Sequence, residues 1–160
     1  MKRILAPILL VTLLFPSLAF GETIDDLVKR DGIHYKKFST VPFTGKVTGK
    51  SQGLFKNGKW DGPWVTYYDN GQLWSKGNFK DGMKNGHWVH YHDNGQLMEQ
   101  GIFSDDKTQG PWVQYHKNGQ LHAKGIFKDG KLDGPWVWYL SDGTVFPEFT
   151  GTFKDGVKVK

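Results

Sequence analysis

Apolar and polar residues alternate along most of the chain in short runs bounded by Asp, Asn and Gly, as expected for β-strands joined by tight turns. Trp64-Val65-Thr66-Tyr67-Tyr68 and Gln72-Leu73-Trp74-Ser75 flank the turn residues Asp69-Asn70-Gly71, which predicts a hairpin. The same pattern then returns. Gly62-Pro63-Trp64, Gly86-His87-Trp88, Gly110-Pro111-Trp112 and Gly134-Pro135-Trp136 recur at an interval of 24, as do Tyr67, Tyr91, Tyr115 and Tyr139. Four units start at Gly53, Gly77, Gly101 and Gly125 (53–76, 77–100, 101–124 and 125–150), the last lengthened around Val145-Phe146-Pro147-Glu148, and a partial unit covers 151–160. The expected fold is all-β: tandem 24-residue hairpins forming one elongated antiparallel meander sheet.

Turn length decides which side chains share a face, because a slip of one residue sends every side chain to the other side. A two-residue Asn70-Gly71 turn would separate Tyr67 from Leu73, Gly77 and Phe79. A three-residue loop Asp69-Asn70-Gly71, with Gly71 left-handed, would put Val65, Tyr67, Leu73, Gly77 and Phe79 on one face, and we favour it. Gly62, Tyr67, Gly71, Leu73, Gly77 and Phe79 are then the structural positions of the repeat. The opposite face would carry the changing residues Thr66, His90, Gln114 and Trp138, where a partner could bind. The repeated tryptophans Trp64, Trp88, Trp112 and Trp136 fall on that variable face, either capping the hairpin edge or forming a ladder open to ligands.

A single unit offers too little apolar surface to offset the entropy of ordering its backbone, so neighbours must complete each other and the ends need caps. Residues 22–52 are expected to form the amino-terminal cap, with a short helical turn somewhere in Ile24–Arg30 where Asp25 and Asp26 suit the first turn. Pro42-Phe43-Thr44-Gly45 resembles Pro147-Glu148-Phe149-Thr150-Gly151, as if both were degenerate second strands.

Residues 1–21 have the form of an export signal: Lys2 and Arg3, an apolar run from Ile4 to Phe15, and small-residue cleavage options between Ala19 and Gly21. A retained anchor is the competing reading, but the run is short and contains Pro7 and Pro16. The mature chain is expected to be periplasmic or secreted. With no cysteine anywhere, neither a lipid-modified end nor a disulfide is available. Loss of Lys2 and Arg3 lowers the formal charge from +5 to +3, spread through turns rather than clustered, so nucleic acid is not an expected partner. Membrane binding is left open.

His87, His90 and His92 form the densest histidine group, but His116 lies two strands from His92, about 9.5 Å away, so no metal site is expected. The acidic residues sit mainly in turns, where they accept local backbone hydrogen bonds, and no pair stands out as hydrolytic. Calcium-loop spacing and kinase signatures are absent, so neither enzyme nor cofactor is expected. Trp64, Trp74, Trp88, Trp112, Trp136 and Trp138 could stack on sugars or a quaternary ammonium group.

The segments Phe127-Lys128-Asp129-Gly130-Lys131-Leu132-Asp133-Gly134-Pro135-Trp136 and Tyr68-Asp69-Asn70-Gly71-Gln72-Leu73 resemble the MORN-repeat variant of bacterial proteins called YwqK-family antitoxins. The resemblance spans about residues 53–160. It implies an all-β hairpin array whose Gly and aromatic positions serve the fold, and its family name implies neutralisation of a toxin. The repeat array, with no catalytic constellation in it, makes the expected function that of an exported, non-enzymatic protein-interaction or scaffold module. Its interaction surface would comprise Trp64, Thr66, Trp74, Trp88, His90, His92, Trp112, Gln114, His116, Trp136 and Trp138. An antitoxin or immunity protein and an aromatic-rich module for cell-envelope glycan are the alternatives.

Overall fold

The computed structural model describes residues 21–160, so the expected export signal lies outside the described residues except for Gly21. Strands β1 (Glu22–Thr23), β2 (Leu27–Arg30), β3 (Ile33–Lys36), β4 (Gly45–Thr48) and β5 (Ser51–Lys56) precede the long ones. These are β6 (Lys59–Tyr67), β7 (Leu73–Lys80), β8 (Met83–Tyr91), β9 (Leu97–Ser104), β10 (Lys107–Tyr115) and β11 (Leu121–Lys128). The chain ends with β12 (Lys131–Leu132), β13 (Gly134–Trp138), β14 (Gly151–Lys154) and β15 (Val157–Lys158). From β4 to β11 each strand pairs antiparallel with the next, and the meander continues through β13, β14 and β15. No α-helix occurs among the described residues. The fold is the expected hairpin meander.

Two kinds of turn alternate along the two edges of the sheet. At one edge Asp81 (φ +51°) and Gly82 (φ +88°) form a two-residue turn with both residues left-handed, the geometry whose twist matches the strands it joins. At the other edge the amide of Gly71 donates to the Tyr68 carbonyl (3.0 Å) and that of Tyr68 to the Gln72 carbonyl (2.8 Å), with Gly71 at φ +83°. Asp69-Asn70-Gly71 is thus the three-residue loop expected.

The face assignment needs correction. Tyr67 pairs with Leu73, but Thr66 pairs with Ser75, so Trp74 is an extra residue on β7. This β-bulge moves everything beyond it to the other side. Trp64 then lies opposite Gly77, and Gly62 opposite Phe79. Val65, Tyr67 and Leu73 share one face, whereas Gly77 and Phe79 share the other with Trp64 and Thr66. The same shift separates Tyr91 and Leu97 from Gly101 and Phe103, and Tyr115 and Leu121 from Gly125 and Phe127.

Packing sits on the tryptophan side. Trp64, Trp88 and Trp136 are buried, and together with the partly buried Trp112 they alternate with Phe79, Phe103 and Phe127 in an unbroken edge-to-face series whose ring centroids are 4.8 to 6.4 Å apart. Such pairs add about 0.5–1.5 kcal/mol each beyond simple burial. The glycine row makes room for the indoles. A methyl group on Gly77 would lie 2.2 Å from the Trp88 ring, and one on Gly101 would lie 2.1 Å from the Trp112 ring. One indole therefore fills the space that each glycine leaves.

At the amino-terminal end, Leu27, Phe43, Val47 and Phe55 extend the core to Trp64 and Trp88. The separate β2–β3 hairpin is tied in through His34, whose amide donates to the Gly58 carbonyl (2.9 Å) and whose carbonyl accepts from the Phe43 amide (2.8 Å). The expected helical turn shrinks to a 3-10 turn, Ile24–Asp26, where the Asp26 carboxylate accepts from the Thr23 amide (2.8 Å) and hydroxyl (2.7 Å). The chain then extends into β2. The proposed kinship of 42–45 with 147–151 holds only for the second segment: Gly151 pairs with Trp136 as Gly77 pairs with Trp64, whereas in β4 Val47 pairs with Gly53 and so takes a tryptophan's place.

Candidate interaction surface

Most residues expected to meet a partner are instead turned into the packed side. Trp64, Thr66, Trp88 and Trp136 are buried, Trp112 is partly buried within the aromatic series, and Trp138 stacks on Trp136 with ring centroids 5.0 Å apart. The reason is the bulge at Trp74, Met98 and His122, which sets the large invariant indoles against glycines rather than against solvent. Trp74 alone of the tryptophans expected there is substantially exposed, at 45%.

The changing residues form a half-buried polar row across the packed side. The Thr66 and Ser75 hydroxyls hydrogen-bond at 2.7 Å, His90 pairs with Glu99, and the Gln114 amide donates to Glu99 Oε2 at 3.5 Å. Glu99 Oε1 lies 3.4 Å from His90 Nδ1, which would favour an imidazolium, yet Nδ1 is buried and makes no hydrogen bond. Burial, followed by the nearby Lys84 ammonium, holds the His90 pKa down at about 4. Burial dominates because no acceptor is aligned with that nitrogen. The Glu99 carboxyl is pushed up by burial against the opposing pull of Lys84. Burial also lowers Lys84, whose ammonium stands 4.6 Å from the centre of the Trp88 ring and 5.0 Å from that of Phe103. These groups specify neighbours inside the sheet.

His92 and His116 are also accounted for structurally. Tyr68 donates its hydroxyl to the Tyr91 carbonyl at 2.7 Å, and one and two repeats later His92 Nε2 meets the Tyr115 carbonyl at 3.0 Å and His116 Nε2 the Tyr139 carbonyl at 2.9 Å. Beside them Asn70, Asn94 and Asn118 donate to the carbonyls of Asp93, Lys117 and Ser141 at 2.8, 2.9 and 2.8 Å. Each loop is thereby fastened to the next. No group of three or more His, Asp or Glu side chains able to hold a metal comes together among the described residues.

The opposite, outward side carries the repeating open surface. Four shallow depressions follow one another along the sheet, centred on Gly53, Gly77, Gly101 and Gly125, with volumes of about 300, 420, 230 and 340 Å³. Their rims are exposed Leu54, Pro63, Ile102, Pro111, Ile126 and Pro135, with Leu54, Ile102 and Ile126 at 44%, 43% and 42% exposure. Lys46, Lys76, Lys124, His87, Gln52, Asn78 and Gln100 supply the polar part of the linings, and no Asp or Glu lines any of the four. None of these rim residues was singled out by sequence reasoning. The available signal was the proline before Trp64, Trp112 and Trp136 and the aliphatic residue, Leu54, Ile102 or Ile126, between a glycine and an inward phenylalanine, since strand alternation must turn both outward.

Stacked hairpins, a sealed aromatic side and an open periodic side define a tandem β-hairpin repeat protein. Residues 60–81, 84–105 and 108–129 match the family described as MORN repeat variant, three tandem copies in step with the 24-residue interval. Repeats of this kind are generally modules for interaction with proteins or membranes. Comparison with curated proteins finds none that matches the chain.

Proposed function

We propose that the protein is an exported, non-catalytic module that binds another protein through the outward side of its sheet. The row of four apolar depressions carries this reading, because contiguous exposed apolar surface on a soluble protein marks a site of association. Export is supported by Lys2, Arg3 and the apolar run Ile4 to Phe15. The absence of catalysis is supported by the character of the matched repeats, which are generally non-catalytic. An antitoxin or immunity role of the YwqK type is the case in which the bound protein is a toxin. Glycan stacking on the tryptophan ladder has less support, because Trp64, Trp88 and Trp136 are buried.

The test compares proteins retained from a native envelope extract by the intact chain and by the double variant Ile102→Glu/Ile126→Glu. A specific protein held by the first and lost by the second is the expected result. Equal retention by both, with the variant folded, would sink the outward-face reading.

A further inference from the structure

The spacing of the depressions narrows the chemistry of the partner, given that the outward side is the binding side. Successive depressions lie two strands apart, about 9.6 Å. A polyproline II helix advances about 9.3 Å per turn of three residues, so every third side chain would meet the next depression, with a mismatch of only about 1 Å over all four. A β-strand covers a similar distance in three residues but then presents its side chain to the opposite face. An α-helix reaches the next depression after seven residues, about 10.5 Å, and slips by nearly 3 Å over the row.

Charge adds a second constraint. Lys46, Lys76 and Lys124 stand beside three of the four depressions, His87 and Gln100 beside the one at Gly101, and no carboxylate balances the lysines there. The rims are aliphatic and proline-rich rather than aromatic, which suits branched side chains better than sugar rings.

We propose that the outward row binds an extended, acidic polyproline II segment of a partner protein, one that presents an aliphatic side chain at every third residue and carboxylates between them. Each aliphatic group fills one depression, and the carboxylates meet the lysine row.

The peptide (Glu-Pro-Leu)4 is the probe, titrated calorimetrically into the intact chain. Its controls are a peptide of the same composition with leucines alternately two and four residues apart, and (Lys-Pro-Leu)4. The in-register acidic peptide should bind at least tenfold more tightly than either control. Ile126→Glu should weaken it by at least tenfold with an unchanged melting temperature, and Lys124→Glu should narrow the gap between the acidic and basic peptides. Equal binding of the spacing control, or indifference to Ile126→Glu, would overturn the proposal. Should the double variant still abolish capture of a native partner while the peptides fail to discriminate, the outward face stands as the binding side and the polyproline II assignment falls. Binding of a β-1,4-linked oligosaccharide at the same substitution-sensitive row, in place of the peptide, would also overturn it.

Discussion

The indole of Trp112 occupies the space that a side chain at Gly101 would need: a methyl group there would approach Trp112 Cε3 to 2.1 Å. Gly101 is not in the left-handed region, so the constraint is steric rather than conformational. Gly101→Ala should cost about 2–4 kcal/mol, because the ring must leave its seat in the aromatic series. Urea unfolding checks this. In a Trp112→Ala background the same substitution should cost much less, and additive losses would argue against the interlock.

Acid should weaken the protein through His90. Its folded pKa of about 4 lies below the ordinary histidine value of 6.5, so the unfolded chain binds the proton more readily. The stability this group contributes is complete above pH 6.5 and is lost as pH falls from there towards 4, on the order of 3 kcal/mol in total. Glu99, whose pKa is raised, acts in the opposite direction and offsets part of the loss. Denaturant titrations between pH 7.5 and 4.5 should show the decline, and His90→Gln should flatten it. An unchanged slope in that variant would contradict the assignment.

Replacing His116 by tyrosine should be tolerated, since Tyr68 fills the equivalent place and reaches the equivalent carbonyl. His116→Ala should cost about 1 kcal/mol and speed amide exchange around Tyr139. If both variants melt together well below the parent, the equivalence of the two positions is wrong.

Thr66 and Ser75 give a contrast between one deletion and two. Thr66→Val alone leaves the buried Ser75 hydroxyl without its partner and should cost about 1–3 kcal/mol. Adding Ser75→Ala removes the orphan and should recover most of the loss. A double variant no better than the single one would show that packing, not hydrogen bonding, holds this pair.

The interval of 24, the hairpins and the left-handed Gly71 were legible in the sequence because they depend on local turn chemistry. The faces were not. A single bulged residue at Trp74 reverses which side Gly77 and Phe79 take, and alternation counted through the loop cannot reveal it. The stronger clue was size: an indole recurring eleven residues after a glycine, as in Gly77 and Trp88, is a complementary pair. The polar row was misread for a related reason. Thr66, His90, Gln114 and Trp138 vary between units as a partner-facing set would, but they face neighbours within the sheet: Ser75 lies across from Thr66, Glu99 from His90, and Ala123 from both Gln114 and Trp138.

The fastening of each loop to the following one by Asn70, Asn94 and Asn118 gives the array a modular growth rule. Duplicating or deleting one whole unit would leave every surviving joint intact, and would lengthen or shorten the exterior row by a single increment. Evolution could thus adjust the size of a recognised segment in discrete steps without reinventing the scaffold.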